Sequence, residues 1–267
     1  MPVFIRPADL HPGDVFLYHG EGVVSSLIRL FDGTEYSHAS LWTGNEVIEA
    51  IGEGVVGRPL KVSIADAKFV DVYRYRNKDT GLTLGDDASP LPATPALTQA
   101  AQFKKDHDRY AYEALLLLAL LASTRQITAP VPLLGMILRV LLDNAADVLA
   151  RLIAAGKEPM ICSELVYRCF TQAGPKYDIR IRGADMAVST AANTMGAAPG
   201  LAPDPQGYQE AAANFLENYQ AAKHAGKPNE FALGADGQPN LGAVADFVTP
   251  GDLKKSPDLQ LLGTLQA

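Results

Sequence analysis

The apolar positions of the chain change period along its length. Early on they come in short runs: Val15-Phe16-Leu17-Tyr18, Ser37-His38-Ala39-Ser40-Leu41-Trp42, Glu46-Val47-Ile48-Glu49-Ala50 and Val70-Asp71-Val72-Tyr73-Arg74-Tyr75. Short runs rich in β-branched and aromatic residues, bounded by Gly, Pro and Asn, predict strands. Pro12-Gly13-Asp14 supplies the turn before the first of them, and Gly44-Asn45 is a two-residue hairpin signal between the second and third. Val24, Leu27, Ile28 and Phe31 share one face of a short helix spanning Val23 to Phe31. Gly, Pro, Thr and Asp dominate 77–98, which reads as a connector. From 99 to 174 the pattern is helical. Tyr110 to Ala122 carries an unbroken Ala/Leu run, and Leu133 to Ile153 is apolar apart from Arg139, Asp143, Asn144 and Asp147. Ile161, Leu165, Val166 and Cys169 then recur at helical spacing. Pro159 marks the start of that helix, and Ala173-Gly174-Pro175 its stop. The stretch 175–245 is rich in Ala, Gly, Pro and Asn, and the sequence leaves its order open. Phe247 to Leu253 and Leu259 to Leu265 regain a packed pattern, so the tail is expected to return to the first region and add a strand or helix.

Composition narrows the function classes. The chain has 267 residues, of which 48% are hydrophobic and 20% charged, as in a globular protein. The net charge is -7 and no Lys/Arg-rich run occurs, which argues against nucleic acid as a partner. The two cysteines, Cys162 and Cys169, stand two turns apart on one helix, roughly 10 Å along its axis. That exceeds the Cα separation of about 7 Å that a disulfide tolerates. A reducing, cytoplasmic location is the default expectation, and no secretory signal is visible at Met1-Pro2-Val3-Phe4-Ile5-Arg6. Export by a signal-independent route stays open. Neither apolar helical stretch offers the roughly 20 uncharged residues of a membrane span. The 114–153 stretch is therefore either a buried helix pair or an apolar surface in peripheral contact with lipid.

The chemistry starts from the hairpin. A Gly44-Asn45 turn pairs Trp42 with Val47 and Ser40 with Glu49. Side chains alternate faces along a strand, so His38, Ser40 and Trp42 share a face with Val47, Glu49 and Ile51. His38 and Glu49 become diagonal neighbours within reach of each other. Cys162, in the first turn of its helix, feels the positive end of the helix dipole, which lowers a thiol's pKa. A thiol, an imidazole and an orienting carboxylate form the nucleophile–base–orienter set of cysteine hydrolases. The plain alternatives are a buried structural cysteine and a structural strand histidine. His11, His19, His107 and His224 have no comparable carboxylate in register. The cysteines and histidines lack the spacing of a zinc site, so no metal or cofactor is expected. No Gly-x-Ser-x-Gly elbow surrounds Ser37 or Ser163, and no phosphate-binding Gly-rich loop is present.

Taken in order, Gly13-Asp14-Val15, Tyr36-Ser37-His38-Ala39, Val47-Ile48-Glu49-Ala50 and Ile161-Cys162-Ser163-Glu164-Leu165-Val166 resemble the circularly permuted branch of the NlpC/p60 superfamily. The YiiX-like proteins are the nearest members by pattern, and lecithin:retinol acyltransferases are more distant relatives. In ordinary members the cysteine precedes the histidine, whereas here His38 precedes Cys162. The resemblance implies a single α+β domain over 1–267 with a permuted papain-like fold, in which an antiparallel sheet packs against the cysteine helix. Its core would be 10–75, 108–174 and 246–267. A helical apolar insertion (114–153) and an Ala/Gly/Pro-rich one (180–245) would be additions to it. The same resemblance makes Cys162 the nucleophile, His38 the base and Glu49 its orienter, with the Cys162 backbone N–H helping to hold an oxyanion. Tyr18, Tyr36, Ser37, Tyr110 and Ser163 become candidate substrate-binding groups, Tyr18 as a second oxyanion donor. The structural alternative for the tyrosines is a half-buried ring with its hydroxyl at the surface. The expected activity is thioester-mediated hydrolysis of a peptide or amide. The rivals are lipid acyl hydrolysis or transfer at a membrane surface, and a non-catalytic binding module with the same cleft. The natural substrate and the oligomeric state are not legible.

Overall fold

A computed structural model describes residues 3–85, 87–106, 113–124, 132–181, 207–223 and 244–266. Seven strands form one sheet: β1 (Phe4–Ile5), β2 (Val15–Gly20), β3 (His38–Trp42), β4 (Val47–Ile51), β5 (Gly54–Arg58), β6 (Ala67–Tyr75) and β7 (Leu259–Leu265). Their order is β1-β7-β6-β2-β3-β4-β5. All neighbouring strands run antiparallel except β1 and β7, which are parallel. The sheet is therefore mixed, not purely antiparallel. Its edge strand, β1, lies before residue 10, where the sequence pattern places the start of the core. Two residues are too few to display a period, so the pattern could not reveal that strand.

The hairpin forms in the expected register, with Trp42 opposite Val47 and Leu41 opposite Ile48. Gly44 adopts φ 103°, a conformation that costs glycine little and other residues much. β5 was not anticipated. Gly54 and Gly57 interrupt its alternation, and Gly52-Glu53 reads as an end when it is a second turn. The tail behaves as expected and contributes both a strand, β7, and a short helix.

The helices are α1 (Val23–Asp32), α2 (Leu60–Ser63), α3 (Thr94–Asp106), α4 (Glu113–Thr124), α5 (Pro132–Ala154), α6 (Cys162–Thr171), α7 (Tyr208–Lys223) and α8 (Pro250–Lys255). α3 opens inside the stretch read as a connector. Its first residues, Thr94-Pro95, are loop formers that also begin helices. α7 occupies part of the segment whose order the sequence leaves open. Alternation along the strands divides the interior into two apolar clusters. The larger holds Val15, Leu17, Ala39, Leu41, Ile48 and Ala50, together with residues of α4, α5, α6 and α7. The smaller holds Phe16, Tyr18, Trp42, Val47, Val70 and Val72. α6 packs on β3 and β4, while α4, α5 and α7 pack on one another. The run Leu116 to Ala122 is buried, as the helix-pair reading requires, but Met136, Ile137 and Val140 on α5 are exposed. Among the described residues no helix is long and apolar enough to cross a membrane.

Candidate active site

His38 opens β3, directly opposite Tyr18 on β2. Its Nε2 lies 3.0 Å from Oε2 of Glu49 on β4. The diagonal contact thus has the geometry that the hairpin register implies. The imidazole is 19% exposed and the carboxylate 2%. A third group, which sequence reasoning missed, joins them: Arg58 Nη1 lies 3.4 Å from the other Glu49 oxygen. Arg58 reaches that position because β5 runs back along β4, so the missed strand concealed the missed residue. The Tyr18 ring lies 5.1 Å from the His38 ring. Its hydroxyl is bonded to Ser40 Oγ at 2.6 Å and to Ser63 Oγ of α2 at 2.8 Å. Burial, and then the charge of Glu49, pushes the Tyr18 phenol far above its ordinary range, so it stays protonated.

The remaining candidates have definite places. Tyr36 is buried and donates its hydroxyl to Asp71 Oδ2 at 2.6 Å. Tyr18 and Tyr36 are thus not half-buried rings with hydroxyls at the surface. Both hydroxyls have partners inside the protein. Ser37 Oγ accepts the Gly20 N–H at 3.2 Å. Ser163 Oγ donates to the Val248 carbonyl at 2.7 Å, which ties α6 to the tail. Tyr110 lies outside the described residues.

Cys162 is the first residue of α6, as the start signals predicted, and has no exposed surface. It sits in the larger core with Ala39 and Ala50, the chain neighbours of His38 and Glu49. The His38–Glu49 pair itself stands on the side of Tyr18 and Ser40. Neither cysteine is part of a disulfide. Burial raises the Cys169 thiol well above its usual range.

A buried ionic cluster underlies the start of α6. Glu164 Oε2 accepts the Ile161 N–H at 3.4 Å. Lys223 Nζ, at the end of α7, is 2.6 Å from both Glu164 oxygens and also donates to the Pro159 carbonyl. Arg168 Nε is 2.6 Å from Glu164 Oε1, and Arg168 Nη2 is 2.6 Å from Asp246 Oδ1. The Glu164–Arg168 pair, four residues apart on a helix, is the part of the cluster with a signal in the sequence. Lys223 and Asp246 carry none. Among the described residues no group of three His, Cys, Asp or Glu side chains is arranged to hold a metal ion.

No known family profile matches the chain. It is 29% identical over 172 residues to YaeF of Escherichia coli K12, named a probable lipoprotein peptidase; the match covers 64% of this chain. The chain spans 58% of that relative's length. Among solved structures, the metalloprotein YiiX from Escherichia coli O157:H7 aligns with a TM-score of 0.44 and 13% identity, over 95% of this chain and 96% of that one. The likeness to YaeF agrees with the resemblance to YiiX-like proteins that the ordered motifs around His38, Glu49 and Cys162 carry.

Proposed function

We propose that the protein is a cysteine-dependent acyl hydrolase acting on amide or peptide bonds. In this reading Cys162 is the nucleophile, His38 the base and Glu49 its orienting carboxylate. The observation that carries it is the 3.0 Å His38–Glu49 contact on β3 and β4, the two strands against which the Cys162 helix packs. Similarity to a protein named a peptidase supports it.

The steps follow from the groups present. With Nε2 turned to Glu49, Nδ1 is the ring nitrogen left to take the Cys162 proton, a transfer that requires the imidazole to swing toward the start of α6. The thiolate, favoured at the N-terminus of α6, adds to the substrate carbonyl carbon. The carbonyl π pair moves onto oxygen, where the Cys162 N–H is a donor. As the intermediate collapses the C–N bond breaks, and the imidazolium protonates the leaving amine. A thioester remains on Sγ. His38 then deprotonates water, which adds to the thioester, and the C–S bond breaks to release the acid and restore the thiolate. Glu49 orients the ring and steadies the imidazolium throughout. Arg58 shares that carboxylate and weakens its hold on the ring. Because Cys162 is buried, a substrate carbonyl reaches it only after the covering residues move.

The test is the pH dependence of alkylation by iodoacetamide in wild type, His38→Ala and Cys162→Ser, with the modified site located by mass spectrometry. Fast labelling of Cys162 well below a thiol's ordinary pKa of about 8.5, slowed by His38→Ala, is the expected result. Ordinary thiol behaviour, indifferent to His38→Ala, would sink the reading. A second reading, lipid acyl hydrolysis or transfer, is favoured by the exposed Met136, Ile137 and Val140 on α5. Thiol-dependent release of fatty acid from phosphatidylcholine vesicles, without turnover of amide substrates, would select it.

A further inference from the structure

The cluster beneath α6 contains two acids and two bases from three separate parts of the chain. Glu164 and Asp246 are 0% and 1% exposed, and Lys223 is 1% exposed. Arg168 is the most accessible, at 16%. Arg168 alone would have to compensate both carboxylates. Lys223 removes that deficit, and it comes from α7, within the 180–245 insertion. Its other neighbours are Asp246 at 3.7 Å, Glu158 at 3.9 Å near the surface, and the Tyr219 ring at 5.8 Å.

The location gives the cluster a chemical consequence. Glu164 lies two residues after Cys162, in the same first turn, and its carboxylate bends back to the Ile161 N–H. An uncompensated negative charge there would oppose the helix dipole and raise the thiol's pKa. Lys223 cancels that charge. Through Pro159 it also fixes the approach to the helix, so one ammonium holds both sides of the Cys162 backbone.

We propose that Lys223 is a positioning residue for the nucleophile, through which the 180–245 insertion sets the state of the Cys162 thiol. The inference rests on the reading of Cys162 as the nucleophile. It makes the insertion part of the catalytic apparatus without placing any of its residues on the substrate.

The experiment measures the pH midpoint of Cys162 alkylation in the full chain, as wild type, Lys223→Met, Lys223→Arg and the double variant Glu164→Gln/Lys223→Met. Circular dichroism at the assay temperature checks the fold of each. Lys223→Met leaves Glu164 partly uncompensated and should raise the midpoint by about one pH unit, or about tenfold slower labelling below it. Lys223→Arg keeps the charge and should stay close to wild type. The double variant leaves Arg168 with Asp246 as a balanced pair and should return toward wild type. A folded Lys223→Met with the wild-type midpoint overturns the proposal. So does a double variant shifted as far as a folded Lys223→Met, because lost packing would then be the cause. If Lys223→Met does not fold, a midpoint raised by about one unit in the double variant overturns it. A midpoint of about 8.5 in all four proteins would instead remove Cys162 as the nucleophile, and this proposal with it.

Discussion

Of the places in this molecule that set a carboxylate against a base, two have little else in common. His38 and Glu49 are 11 residues apart, joined by one tight hairpin, at a rim where the imidazole keeps some solvent. Glu164 meets Lys223 across 59 residues, in an interior that excludes water from both side chains. The first pair belongs to a register, and its imidazole keeps contact with solvent. The second belongs to the meeting of the end of α7 with the start of α6, and its charges are held because removing any one leaves another buried without compensation. In the proposed mechanism the first arrangement would carry the proton and the second would only fix charge.

The largest effect should come from the thiol. Cys162→Ala is expected to lower amide hydrolysis by at least about a thousandfold with the unfolding midpoint little changed. Activity retained in that variant would detach the His38–Glu49 pair from α6 altogether. Next, Glu49→Gln keeps the shape but loses the charge that steadies the imidazolium, and kcat/KM should fall by about 10²–10⁴. A loss below tenfold would show the carboxylate to be structural. Stability contrasts the two regions directly. In urea unfolding, Lys223→Ala should cost about 3–5 kcal/mol, as expected for half of a buried pair. Arg58→Gln, at the 31% exposed end of the Glu49 contact, should cost less than about 1 kcal/mol. Equal costs would erase the distinction.

How much of this was legible depends on distance along the chain. Gly44-Asn45 fixes a register, alternation fixes a face, and so the His38–Glu49 contact could be placed before any coordinates. Pro159 and the apolar spacing after it placed Cys162 at a helix start. Arg58 was hidden because β5 is glycine-interrupted, and β1 because it is too short to show a period. Lys223 and Asp246 were hidden for a deeper reason. Nothing local to either residue says that it will be buried in the Glu164 cluster; only where the end of α7 and the tail come to lie beside α6 decides that.

Two smaller effects sharpen the contrast. Burial acts to raise the Asp258 carboxyl, but the hydrogen bonds from Arg180 outweigh it and hold the group below its usual range. The folded-state value is depressed, so this stabilisation is in place above a pH of about 4 and is lost as the pH falls further. Asp258→Asn should therefore flatten the acid limb of a stability–pH profile. The smallest effect is expected at the second thiol. Burial keeps Cys169 protonated, so iodoacetamide should leave it untouched in the native protein and modify it only on unfolding. Cys169→Ala should leave the labelling rate of Cys162 unchanged.

The position of β7 between β1 and β6 has a consequence for how the molecule is made. Thr264 pairs with Phe4 on one side, and its hydroxyl reaches Asp71 Oδ1 on the other, 193 residues back along the chain. While a ribosome is still adding the intervening residues, β6 has β2 on one edge and nothing on the other, and open strand edges recruit other chains. Closure must await the emergence of Leu259–Leu265, a contact order that favours slow maturation. A nascent chain stalled before Leu259 should therefore be a chaperone client, and one released after it should not.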